Sequence, residues 1–190
     1  NADGFEDVFV AASMSYPYRY GVNSVLLNDR GQGFLDSEFV LGVEPRSEGT
    51  AQPWMQLDCD GRDANNKLCR EHSGKLLVWG AIGTRSSVVF DLEHDGDLDI
   101  VTNDFGGTPM VLTSNLDEQA DVNYLKIRLR GTKSNRDGLG ALVTVHTDKL
   151  KSVTAHDGKS GYLAQSRMPL YVGLGQLKSV QRIEVLWPSG

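Results

Sequence analysis

The stretch "FDLEHDGDLDIV", residues 90–101, sets five acidic side chains within nine positions: Asp91, Glu93, Asp95, Asp97 and Asp99. Carboxylates held ~5 Å apart repel by ~0.8 kcal/mol per pair even in water, and by more beside protein. A tight turn that converges several of them needs a cation or must splay them into solvent. Acids stand at every second position from 91 to 99, with Gly96 permitting the sharp bend that returns Asp99 to the others. Alternate positions of such a turn face one centre, and calcium, a hard cation taking ~6–8 oxygen ligands, suits it. The alternative is an acidic solvent turn that caps a hairpin.

The loop opens like an EF-hand and ends differently. An EF-hand places a bidentate Glu at its twelfth position, where this chain has Thr102. Its flanks are helices, whereas "SSVVF" and "LDIVTN" are β-branched, strand-like runs. The reading is therefore a calcium loop between β-strands, with His94 at an outward position.

The opening residues "NADGFED" repeat the second half of this design. Asp3 aligns with Asp95, Gly4 with Gly96 and Asp7 with Asp99, and Asn1 takes the place of Glu93. The partner of Asp91 would precede residue 1, so the first loop reads as cut. After each loop come an apolar strand, a polar turn and a second strand ending in Asn: "NSVLLND" (23–29) and "TPMVLTSN" (108–115). Two copies of one unit are predicted.

Strand periodicity runs through the rest of the chain. "VNYLKIRLR" (122–130) puts Leu125, Ile127 and Leu129 on one face and Lys126, Arg128 and Arg130 on the other. Five further short apolar runs follow between 141 and 187, which predicts an antiparallel sandwich or barrel of about six strands. No amphipathic helix longer than three turns is expected, and the fold class is all-β. The polar segment 114–123 makes the domain boundary, giving 1–117 and 118–190. Residues 42–85 alternate poorly and read as an irregular excursion carrying at most a helical turn, with "KLLVWGAI" (75–82) returning to the sheet. Cys59 and Cys69 lie inside it. In an exported protein they would close a small disulfide loop; free thiols, or a metal site with His72, are the alternatives.

The units at 3–34 and 90–115 resemble FG-GAP/VCBS repeats, the blades of calcium-binding β-propellers related to the integrin α-subunit head. The likeness is good at 91–99 and partial at 1–7. The tail from Asn123 is similar to the ASPIC/UnbV domain, which closes such propellers in bacterial exported proteins and in animal cartilage acidic protein. "SNRDGLGA" (134–141), "SGYLAQS" (160–166), "GLG" (173–175) and "WPSG" (187–190) carry that resemblance in the family's order. The repeat family implies Ca²⁺ ligands at Asp91, Glu93, Asp95 and Asp99, with the backbone carbonyl of Asp97. It implies Asn1, Asp3, Asp7 and the carbonyl of Phe5 in the partial first loop. A closed propeller needs ~4–8 blades of about four strands, and this chain holds at most two, so it reads as a fragment.

Composition limits the function classes. The 190 residues carry 25 acidic and 19 basic groups for a net charge of −6, which disfavours phosphate neutralisation and hence nucleic-acid partners. No apolar run approaches the ~18 residues of a membrane span, so no membrane insertion is expected. The opening residues lack the basic start and apolar core of a signal peptide. No nucleophile elbow, zinc-protease helix or phosphate-cradling loop is visible, so an enzyme is the weaker reading. Lys126, Arg128 and Arg130 form either a strip for an anionic glycan or the wet face of a strand. Trp54 is the candidate for ligand stacking, while Trp79 and Trp187 read as packing residues. The expected function is an extracellular or periplasmic recognition module with structural calcium, its partner a protein or carbohydrate at a cell surface or matrix. Alternatives are an enzyme or accessory domain acting on polysaccharide, and a structural cap of a larger propeller.

Overall fold

The computed structural model describes residues 1–12, 21–45, 53–79, 83–105, 107–165 and 169–189. Ser13, Gly80–Ile82 and Ser166, which the sequence places at strand ends, lie outside the described residues, as does the side chain of Trp79.

Short strands of β-branched and aliphatic residues, punctuated by Gly and Asn, pair as small antiparallel sheets. In the first portion, β1 (Val8–Val10), β2 (Ser24–Asn28) and β3 (Phe34–Asp36) form one three-stranded sheet in that order. β4 (Pro53–Asp58) pairs with β5 (Lys75–Trp79). β6 (Gly83–Phe90), β7 (Asp99–Phe105) and β8 (Val111–Leu112) form a second three-stranded sheet. A four-residue helix, α1 (Leu116–Gln119), precedes the second portion. There, β9 (Asn123–Ile127) pairs with β14 (Leu170–Gly175), and β10 (Ala141–His146) lies between β11 (Lys151–His156) and β15 (Arg182–Leu186). β12 (Lys159–Gly161) and β13 (Ala164–Gln165) make a small hairpin. The molecule is all-β with almost no helix. Neither a closed barrel nor a propeller occurs among the described residues, and no described helix is long and apolar enough to cross a membrane.

The largest apolar cluster lies between the ribbon β9–β14 and the sheet β11–β10–β15. Val143, Val145 and Val172 are buried there, and Leu125, Ile127, Leu129, Leu170, Leu174, Val180 and Val185 pack around them. The alternation of residues 125–129 therefore faces the core as the sequence predicts. "GYLAQS" does not form one strand as expected. It turns back on itself at Tyr162 and Leu163, where Leu163 has φ +54°.

Residues 53–58 and 75–79 pair as the β4–β5 hairpin, with "KLLVW" as the returning strand, and the turns between them carry a 3-10 turn at Lys67–Cys69 that Asn66 caps by accepting the Leu68 N–H at 3.0 Å. Cys59 and Cys69 form a disulfide with a Cα–Cα distance of 5.2 Å, so neither the free-thiol nor the His72-metal alternative holds. Both sulfurs sit in a second small cluster with Leu57 and Val78, flanked by Met55, Leu68 and Leu76. The sequence missed this hairpin because a cluster so small leaves most of its alternate residues, Trp54, Gln56 and Leu77 among them, exposed.

The paired substitution of Cys59 and Cys69 by Ser releases a loop of this length and removes buried sulfur. A loss of about 2–3 kcal/mol is expected, read as a lower urea midpoint with a steeper slope, because the unfolded chain loses its crosslink. Val143→Ala, at a side chain 1% exposed, is expected to cost roughly 2 kcal/mol by the same measurement.

Candidate metal centre

The acidic loop connects β6 to β7, and its carboxylates are ordered by backbone N–H groups. Asp99, 1% exposed, accepts the Leu92 N–H on Oδ2 at 2.7 Å and the Ser114 N–H on Oδ1 at 2.9 Å. Asp95 accepts the Asp97 N–H on Oδ1 at 3.2 Å, folding the loop at Gly96, whose φ is +104°. Asp97, also 1% exposed, accepts the N–H groups of Leu116 (2.8 Å) and Asp117 (3.2 Å) on Oδ2. Asp91 accepts the Gly96 N–H on Oδ2 at 3.1 Å.

One oxygen each of Asp91 and Asp97, Oδ1 in both, is buried without a hydrogen-bond partner. Such an atom is costly unless something else satisfies it. Ligand oxygens of Asp95, Asp97 and Asp117 all lie within 4.8 Å of one another. Burial, then the charges of Asp97, Asp117 and Asp91, push the Asp95 carboxyl above the usual carboxylate range. The donor set is entirely carboxylate, which fits a hard divalent cation such as calcium rather than zinc or copper.

The structure places the sequence-predicted residues unequally. Asp95 and Asp97 converge with Asp117, which the sequence did not single out because it stands twenty residues beyond Asp97. Glu93 and His94 are exposed, His94 with φ +66°. Both oxygens of Asp99 are already held by backbone donors. Asp97, assigned a carbonyl role through the family, has its side chain buried.

Lys126, an exposed residue of β9, also reaches the loop: its Nζ lies 2.5 Å from Asp91 Oδ2, where the Asp91 side chain is 2% exposed. Burial pushes the Asp91 carboxyl up. The Lys126 hydrogen bond and charge, with the N–H groups of His94 and Gly96, outweigh it and hold the group below its ordinary value. The same ammonium stands 5.4 Å from the Tyr124 ring centroid. Tyr124 stacks on Tyr171 at 5.4 Å, and the Tyr171 hydroxyl donates to the Gly96 carbonyl at 2.7 Å. Burial first, then Tyr124 and the loop carboxylates, raise the Tyr171 pKa, which keeps that donor protonated. Arg128 and Arg130 are exposed.

The first loop has the same local design. Gly4 has φ +94°, and Asp3 Oδ1 accepts the Phe5 N–H at 3.0 Å, as Asp95 does for Asp97. Asn1 Oδ1 accepts the Asp3 N–H at 3.2 Å. Asp7 Oδ1 accepts the Asn28 N–H at 2.8 Å, as Asp99 does for Ser114. The following strands share a register: Val8 pairs with Leu26 as Ile100 pairs with Leu112. Asn28 thus corresponds to Ser114 and not to the terminal Asn115. This loop rests on β14, where the Gly175 N–H donates to the Ala2 carbonyl at 2.7 Å. A Cβ on Gly173 would lie 2.6 Å from that Ala2 carbonyl group, which accounts for glycine in "GLG".

Residues 131–190 match the family model of ASPIC and UnbV. Searches among curated proteins and among solved structures give no match. The ASPIC and UnbV match covers about a third of the 190-residue chain and takes in Tyr171, Gly173 and Gly175. It begins after β9, so Tyr124 and Lys126 stand outside it. Within it, "SNRDGLGA" is a turn: the Asn135 side chain donates to the Leu139 carbonyl and accepts the Leu139 N–H, both at 2.7 Å.

Trp54 is 45% exposed and meets Phe105 edge-on at 6.2 Å, with Arg85 5.2 Å from the other ring's centroid. A separate cleft of ≈ 550 Å³ is lined by Phe9, Val10, Arg85, Ser86, Ser160 and Tyr162 among others, without Trp54.

Lys126→Met strips the counter-charge from a buried carboxylate and is expected to cost about 1–3 kcal/mol, discounted for the partly exposed ammonium. Adding Asp91→Asn is expected to recover part of that loss in a double-mutant cycle. Gly96→Ala places a Cβ 2.2 Å from the Tyr124 ring at a positive φ, and the melting temperature should fall by more than ~5 °C.

Proposed function

We propose that the chain is a calcium-binding recognition module of an exported protein, in which the cation is structural. The supporting observation is the convergence of Asp95 and Asp97 of the 91–99 loop with Asp117, where Asp97 keeps a buried oxygen without a hydrogen-bond partner. Calcium there neutralises repelling charges and gives that Asp97 oxygen a partner. The disulfide agrees with an oxidising compartment.

In this reading, residues 1–117 are propeller-type blades of the FG-GAP/VCBS kind, and the following portion is the ASPIC/UnbV-like β-domain. Two loop-and-hairpin units with one register favour repetition of a blade element. Phe34, Leu35, Phe39, Val40 and Leu41 are all more than half exposed, the kind of apolar surface that an adjoining blade covers. The partner is a protein or carbohydrate at a cell surface or matrix, a step that rests on the resemblance alone.

Thermal unfolding in calcium at about 100 times its dissociation constant should gain ~2.7 kcal/mol over the same protein in chelator. At ~2–4 °C per kcal/mol for a chain of this size, the melting temperature rises by roughly 5–10 °C. Asp95→Ala should abolish the rise. Superimposable melts of the wild-type protein in calcium and in chelator would defeat the proposal.

A further inference from the structure

We infer that Asp117 is a ligand of the cation, so that the site is formed by Asp95 and Asp97 of the loop together with the α1 turn rather than by the loop's own alternating acids. The inference rests on the calcium reading and deepens it.

Three features of the structure carry it. Oxygens of Asp95, Asp97 and Asp117 lie mutually within 4.8 Å. Two ligands on opposite sides of a calcium ion, each ~2.4 Å from it, are ~4.8 Å apart, so this spread suits a common ion. Second, Asp97, a member of this group, is 1% exposed, and its Oδ1 is buried without a hydrogen-bond partner. A fully buried carboxylate with one idle oxygen, beside two others, is the arrangement a cation completes. Third, the remaining oxygen of Asp97 accepts the Leu116 and Asp117 N–H groups, so one carboxylate both offers a ligand atom and fixes the residue that brings the next.

The loop's other acids are committed elsewhere. Lys126 already neutralises Asp91, both oxygens of Asp99 accept backbone N–H groups, and Glu93 is exposed. Among the described residues, no lysine, arginine or histidine forms an ion pair with Asp95, Asp97 or Asp117. Three negative charges therefore remain for a divalent ion. Binding ties the β6–β7 loop to the segment leading into β9, so the ion fastens the junction between the two portions of the chain.

Terbium, a luminescent stand-in for calcium, tests the ligand set on the full chain. Tyr171 donates to Gly96 between the two loop ligands and serves as the sensitiser. Calcium displacement of the terbium signal gives affinities for the wild type and for Asp117→Asn, Glu118→Gln and Glu93→Gln. Asp117→Asn should weaken calcium binding at least tenfold, while Glu118→Gln and Glu93→Gln stay within about twofold of wild type. Asp117 is exposed, so the Asp117→Asn melt in chelator should match the wild type and separate ligation from folding. Wild-type affinity in Asp117→Asn, or equal losses in Glu118→Gln, would overturn the inference while leaving the calcium reading standing. A wild-type chain that takes up neither terbium nor calcium overturns both.

Discussion

The contact on which the rest of the structure depends is that between the acidic loop and the outer face of the β9–β14 ribbon. Lys126 reaches Asp91, and the stacked Tyr124 and Tyr171 cover Gly96. A buried carboxylate without a counter-charge is expensive, and a glycine at φ +104° leaves room for an aromatic ring. These two needs are met by residues of one strand pair. Pairing sets Tyr171 opposite Lys126 and Gly173 opposite Tyr124, so the same ribbon face also receives the first loop at Ala2. Its reverse face supplies Leu125, Ile127 and Val172 to the main core.

The metal centre follows from that seating. Once the loop is held from behind by the ribbon, its backbone N–H groups and those of α1 are directed at Asp97 and Asp99. Asp97 keeps one oxygen free of those bonds, and its carboxylate converges with those of Asp95 and Asp117. Folding thus concentrates negative charge at one place while spending positive charge, in the form of Lys126, only at Asp91.

Much of this was legible before any coordinates. Period-2 alternation located the strands of the second portion, because residues such as Leu125 and Val143 must face one core. The Asp-Gly signature marked both loops, since only a tight turn with a glycine at positive φ explains acids so crowded. The pairing of Lys126 with Asp91 was not legible. It spans 35 residues, and an alternating Lys-Ile-Arg strand reads the same whether its polar face meets water or a carboxylate. Asp117 was missed for a similar reason: a single acid in a polar boundary segment carries no periodic signal. Strand β4 escaped because its small core, built around a disulfide, leaves apolar Trp54 on the exposed face, so hydropathy does not alternate where burial does.

The Gly175–Ala2 hydrogen bond joins residues that are 173 positions apart, and it lies on the ribbon that also grips the second loop. It crosses the division that composition suggests near residue 117. Separating the two portions would strip the ribbon's face of both loops at once. Opening should accordingly be collective, with the late, long-range closure of the chain's two ends setting the pace of assembly.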